Sequence, residues 1–185
     1  SNPMDLFLIS QLLATGQEPN VFDLQQQIFS IMKNDYERNL KNEFPLEDIS
    51  SIAYDMRCND YVIITQDKMP QAPLNCMEKH KMLIKRIDEN NCPQWLFRHQ
   101  SIMDFFITKL FLRREHENKQ LKHIDDVQYR GVYFLLANLL PENEAENLKE
   151  LLINHAADTK NHSISDEFIK KLRGRRKMSK LTTSA

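Results

Sequence analysis

Apolar positions recur at three- and four-residue steps along most of the chain, so helices are expected almost throughout. Leu6, Phe7, Leu8, Ile9, Leu12 and Leu13 form the first such group, and Pro19 separates it from a second. That second stripe, Leu24, Ile28, Ile31, Met32 and Tyr36, predicts a helix from Phe22 to Leu40 with Asp23 available as its cap. Phe44, Leu46, Ile49, Ile52, Ala53 and Met56 repeat the pattern. Tyr61 to Thr65 (YVIIT) is too short and too β-branched for a helix and reads as a strand. Leu74, Met77, either Met82 or Leu83, and Ile87 predict another helix, broken by Pro93, after which Trp95 to Phe97 supplies a second short strand. Helix, strand, helix, strand between Phe44 and His99 is the order of a small winged helix. Two isolated strands are marginal in water, so these must lie on the helices.

Beyond His99 the pattern is wholly helical. Ile102, Phe105, Phe106, Ile107, Leu110 and Phe111 cover more than one face, which predicts burial between neighbours rather than a surface stripe. Asp125 to Leu139 forms a further helix stopped by Pro141. Asn143, with Glu146 at capping-box spacing, starts the next through Leu148, Leu151 and Leu152, and Ser163 starts the last through Phe168, Ile169 and Leu172. The expected fold class is mainly α, a helical bundle with a small winged-helix unit of two or three short strands.

Composition narrows the chemistry. The 185 residues, 41% of them hydrophobic, are enough for a sizeable core, and 25 basic against 26 acidic side chains leave no global field to attract nucleic acid or an anionic membrane. Lys79, Lys81, Lys85 and Arg86 on the expected DNA-facing helix are offset by Glu78, Asp88 and Glu89, so nucleic acid is not expected as a partner. The run from Lys170 to Lys180 has no acid, and residues 174–185 read as a basic flexible tail. No apolar stretch reaches the length of a membrane span or has the flanks of a signal peptide. Cys58, Cys76 and Cys92 lack a disulfide framework spacing and are read as buried or half-buried thiols in a reducing cytoplasm. Cys76 and His80 would share a helix face, with Cys92 further along the chain, but a fourth metal ligand is not evident, and no metal site is assigned.

A phosphate-cradling loop needs clustered glycines, and Gly16, Gly131 and Gly174 lie far apart, with no G-x-x-x-x-G-K-(S/T) anywhere. His116-Glu117 is followed by Gln120 where a second zincin ligand would stand, and G-x-S-x-G is absent. The chain is therefore not expected to be an enzyme by itself.

In WLFRHQSIMDFF (residues 95–106), Phe97, His99, Ile102, Asp104 and Phe105 fall on the specified positions of F-x-H-x-x-(F/I)-x-(D/E)-(F/Y). This resembles the signature that closes the winged-helix domain of NACHT-type STAND ATPases. The aromatic or small residues usual around the histidine are partly replaced by Gln100 and Met103, and Ile107-Thr108-Lys109 replaces an alanine-rich end. The NPMDLFLI string similarly resembles the proline motif that begins the family's first helical domain, although a proline in a helix's first turn needs no functional reason. Ser1-Asn2 reads as a remnant of expression ahead of a chain cut from a longer protein.

The resemblance implies the end of a first helical domain over 3–42, a winged helix over 43–100 and a helical arm over 101–173. It also implies that His99 reaches the β-phosphate of bound ADP and that Pro3 packs near the adenine. Asp104 would accept from Arg98 or a backbone N–H, or else remain solvated. On this reading the fragment itself holds no cofactor, while ADP or ATP with Mg belongs to the parent protein. Its partners are the ATPase core of the same parent chain and proteins that dock on the helical arm, and the isolated fragment is a monomer. Two other classes stay open: a stand-alone helical protein-interaction module and a winged-helix DNA binder.

Overall fold

The computed structural model describes residues 3–19 and 24–182, without the side chains of residues 3, 4, 114, 117, 118 and 177–182. Asp23, the expected cap of the second helix, is outside the described residues. Among those described the fold is mainly α. In chain order the elements are α1 (Pro3–Ala14), α2 (Leu24–Leu40), α3 (Leu46–Cys58), α4 (Gln71–Lys79), β1 (Leu83–Ile87), β2 (Pro93–Phe97), α5 (Gln100–Phe111), α6 (Glu117–Lys122), α7 (Arg130–Leu139), α8 (Glu142–Thr159) and α9 (Ser163–Thr182). The chain divides into two compact units, Ser1–Ile107 and Thr108–Ala185. The expected boundaries after residues 42 and 100 do not coincide with that division.

The first unit contains a winged-helix-like arrangement of α3, α4 and the antiparallel pair β1–β2, whose register places Leu83 opposite Phe97 and Lys85 opposite Trp95. Residues 61–65, expected as a full strand, contribute only a bridge in which Ile64 and Trp95 exchange backbone hydrogen bonds of 2.8 and 2.9 Å. Trp95 and Ile64 are fully buried. The stripe on α2 is inward as its spacing predicts, and Phe29 is its hub: its ring lies 5.9 Å from Phe44, 5.5 Å from Phe105 and 5.9 Å from Phe106. Aromatic pairs at such separations add to what burial alone contributes.

The helix expected to run past Ile87 stops at Lys79, and Leu83 and Ile87 belong to β1 instead. The cause is a Schellman turn. Lys81 adopts φ 61°, its N–H donates to the Glu78 carbonyl (2.9 Å), and the Met82 N–H reaches back to the Met77 carbonyl (2.8 Å). A lysine holds the left-handed position that glycine usually takes, so no glycine marked the break. At the other end of β1, Asn91 has φ 64°, while the Asp88 carboxylate accepts from the N–H groups of Asn90 (2.9 Å) and Cys92 (2.8 Å), closing the hairpin.

In the second unit α7 and α8 both pack on α9. Val132, Tyr133, Leu136 and Ala137 of α7 are buried, as are Leu148 and Leu152 of α8 and Phe168 and Leu172 of α9. Asp125 lies ahead of α7, which begins only at Arg130. The start of α8 differs from expectation: Pro141 occupies the capping position, and Glu146 pairs with Lys149 and Arg176 instead of closing a capping box. The expected tail differs too, because α9 continues through Thr182. Arg175 donates to the carbonyls of Leu140 (2.6 Å) and Ala137 (3.3 Å), and Arg176 bridges Glu142 (2.8 Å) and Glu146. Two residues of the acid-free run, Arg175 and Arg176, thus find acceptors at the end of α7 and on α8.

Candidate functional site

His99 sits where β2 gives way to α5, and it is exposed. Its carbonyl accepts the first helical bond from the Ile102 N–H (3.1 Å), and its ring Nδ1 accepts from the Ser101 N–H (3.2 Å) with the Ser101 hydroxyl 2.9 Å away. An imidazole thereby serves as a helix N-cap, satisfying one of the donors that a helix start leaves open. Because Nδ1 acts as an acceptor, the neutral ring carries its proton on Nε2. Nε2 has no hydrogen-bond partner among the described residues. Chemically the site offers one N–H donor, held in orientation from behind, to an acceptor arriving from solvent.

The other four residues of the signature are committed to the interior. Ile102 and Phe105 are buried, and Phe97 rests on Phe106 at 5.8 Å. Asp104 is buried as well, 5% exposed, and it receives a 2.7 Å hydrogen bond from the Arg57 guanidinium of α3. Arg98, the expected donor, instead gives its Nε–H to the Lys81 carbonyl at 2.9 Å. A solvated Asp104 is likewise overturned. Its residual exposure is too small, and its carboxylate is engaged by Arg57 near the end of α3. Burial pushes the Asp104 carboxyl above its usual range, against the opposing pull of Arg57. Pro3 begins α1, but its side chain lies outside those described.

The basic residues expected on one DNA-facing helix are dispersed. Only Lys79 lies on α4, where its ammonium is 2.7 Å from Asp35; Lys81 is in the turn, and Lys85 and Arg86 are on β1. The row of phosphate contacts anticipated for a recognition helix is not assembled.

A second polar cluster lies between α2 and α4. The ligand atoms of Asp35, Cys76 and His80 all lie within 4.8 Å of one another. His80 Nε2 is 2.9 Å from Asp35 Oδ2, the oxygen that also accepts from Lys79, while Asn39 donates to Oδ1 at 2.9 Å. Hydrogen bonds from Lys79 and then His80 hold the Asp35 carboxyl far below the ordinary range. The Cys76 thiol donates to the Met32 carbonyl (3.7 Å), and burial, reinforced by the Asp35 charge, pushes its pKa up to about 11. A thiol in that state is not an activated nucleophile. Cys58 and Cys92 are exposed, contrary to the expected buried thiols, and Cys92 takes no part in the cluster.

Sequence spacing found Cys76 and His80 but missed Asp35, which lies on another helix. No local signal links positions 41 residues apart. No described helix is long and apolar enough to cross a membrane. Compared with the known protein families and with curated proteins, the sequence matches none.

Proposed function

We propose that the chain is a non-catalytic regulatory part of a NACHT-type nucleotide switch. In this reading the ATP-binding core stands elsewhere in the parent protein, and His99 holds the ADP-bound state closed. The observation that carries the reading is the state of His99 itself. Four of the five signature residues are accounted for by packing or by the Arg57 ion pair, whereas the imidazole is exposed, with Nδ1 anchored by Ser101 and Nε2 without a partner among the described residues.

An Nε2–H donor pre-oriented by its other nitrogen suits a β-phosphate oxygen. The contact would be charge-assisted, and such bonds contribute about 1.5–3 kcal/mol. Breaking one shifts a closed-to-open ratio by about one to two orders of magnitude. ADP binding and domain closure would stabilise each other, and replacement of ADP by ATP with Mg would release the winged-helix-like unit. Pro3 is the proposed adenine neighbour, and proteins docking on the helical arm, 101–173, are the proposed route of output.

The test uses His99→Ser in the full-length parent, because serine keeps a capping oxygen while removing the donor's reach. The variant should release ADP about 10- to 100-fold faster than wild type, as followed with a fluorescent ADP analogue. Release at the wild-type rate from a folded variant would mean that His99 serves only as a helix cap.

A further inference from the structure

The α2–α4 seam holds more electron-pair donors than its hydrogen bonds require. Cys76 and His80 are four residues apart across the end of α4, which stacks a thiol above an imidazole on one face. Asp35 on α2 faces both. Its carboxylate is oriented from behind, with Asn39 holding Oδ1 and turning Oδ2 toward His80. Metal-ligating carboxylates are commonly held by such outer hydrogen bonds. Lys79 presently supplies the positive charge, yet its side chain is 66% exposed and can swing into solvent.

We propose that Asp35, Cys76 and His80 form a three-ligand site for a borderline-soft divalent cation of the Zn²⁺ class, with water as the fourth ligand. The donor set is one sulfur, one imidazole nitrogen and one carboxylate oxygen, which suits Zn²⁺ or its spectroscopic substitute Co²⁺ and disfavours Mg²⁺ and Ca²⁺. In a tetrahedral zinc site neighbouring ligand atoms are about 3.3–3.6 Å apart. Here all three lie within 4.8 Å, with the His80–Asp35 separation at 2.9 Å, so coordination needs only side-chain adjustments.

On binding, the metal takes the lone pairs of Cys76 Sγ, His80 Nε2 and Asp35 Oδ2. The thiol proton leaves to solvent, Lys79 moves off Oδ2, and the proton that His80 Nε2 donates to Asp35 is given up to solvent, with the coordinated neutral ring protonated on Nδ1. The ion would clamp α2 to the end of α4 and to the turn that starts β1. Nothing in this site depends on the nucleotide-switch reading.

Titration of the full chain with Co²⁺ tests the site. The expected result is one equivalent bound, with a thiolate-to-cobalt charge-transfer band in the near ultraviolet and visible bands of tetrahedral intensity, all displaced by Zn²⁺. The double variant Cys58→Ser/Cys92→Ser should keep these bands, whereas Cys76→Ser should lose the charge-transfer band. Asp35→Asn and His80→Ala should each weaken Co²⁺ binding at least tenfold while retaining the wild-type circular dichroism. A band that survives Cys76→Ser, or disappears with the exposed cysteines, overturns the proposal. So does the absence of stoichiometric Co²⁺ binding, and so does wild-type affinity in both Asp35→Asn and His80→Ala, which stay informative if Cys76→Ser fails to fold.

Discussion

The β2–α5 junction and the α2–α4 seam are each organised around one aspartate, and the two carboxylates are set in opposite ways. Asp104 is buried against an Arg57 side chain only 7% exposed, and burial raises its pKa. Asp35 is about a quarter exposed, is reached by Lys79, His80 and Asn39, and has its pKa lowered by them. In the first, desolvation opposes the charge and geometry compensates; in the second, hydrogen bonds favour the charge and solvent remains within reach. The difference teaches that the more conspicuous ion pair is the scaffold. The looser cluster, with Lys79 largely exposed, is the one open to an exchange of partners.

The largest expected effect tests the scaffold half of this contrast. Asp104→Ala removes the carboxylate that accepts from the buried Arg57 guanidinium and leaves a cavity in its place, which should cost about 3–5 kcal/mol of stability in denaturant unfolding. Arg57→Met alone should cost a similar amount for the converse reason. The double variant Arg57→Met/Asp104→Leu replaces both charges with apolar groups of related size and should recover most or all of that loss. If the single variants are as stable as wild type, Asp104 is not the anchor of the junction.

That anchor also marks the limit of what the sequence discloses. The apolar stripes of α2, α3 and α5 are legible because burial imposes a 3.6-residue period on each helix independently of its neighbours, and Phe29, Ile49 and Phe105 are inward accordingly. The signature around His99 is legible for the same local reason, since strand, cap and helix are consecutive. Arg57 and Asp104 are 47 positions apart, and Asp35 and His80 are 45 apart. No periodicity connects them, because the pairing is created by helix packing. The boundary between α4 and β1 was hidden differently. Leu83 and Ile87 are four apart, a spacing that fits a helix, and the left-handed residue that ends α4 is Lys81.

A smaller effect, opposite in its pH dependence, should separate the two aspartates. The Asp35 carboxyl is lowered in the folded chain, so its contribution is present above the unfolded value near 3.9 and is lost as pH falls below it. The Asp104 carboxyl is raised, so its titration favours the fold at low pH, and that contribution is lost as pH rises through the folded value. Relative to Asp35→Asn, wild type should therefore lose stability on acidification below about pH 4. Relative to Asp104→Asn it should gain. Near neutral pH, Asp35→Asn should cost only about 0–1 kcal/mol, since its ion pairs are open to solvent. Parallel urea titrations from acid to neutral pH check this, and slopes of the same sign for both variants would abolish the distinction.

A further small effect concerns His99, whose two ring nitrogens divide between the fold and the proposed contact. The exposed ring adds little to the core, but Nδ1 satisfies the Ser101 N–H, and that N–H would otherwise face the start of α5 without its protein acceptor. His99→Ala should therefore cost about 0.5–2 kcal/mol, as for other lost N-caps, and His99→Ser should restore most of it because a serine oxygen is a better cap than alanine. The ordering wild type, then Ser, then Ala in thermal melts would assign Nδ1 to the fold. It would also leave Nε2, with no partner among the described residues, as the part of the imidazole available to a ligand. Equal melting temperatures for all three would show that Ser101 does not need the ring, and the orientation of the proposed donor would lose its structural support.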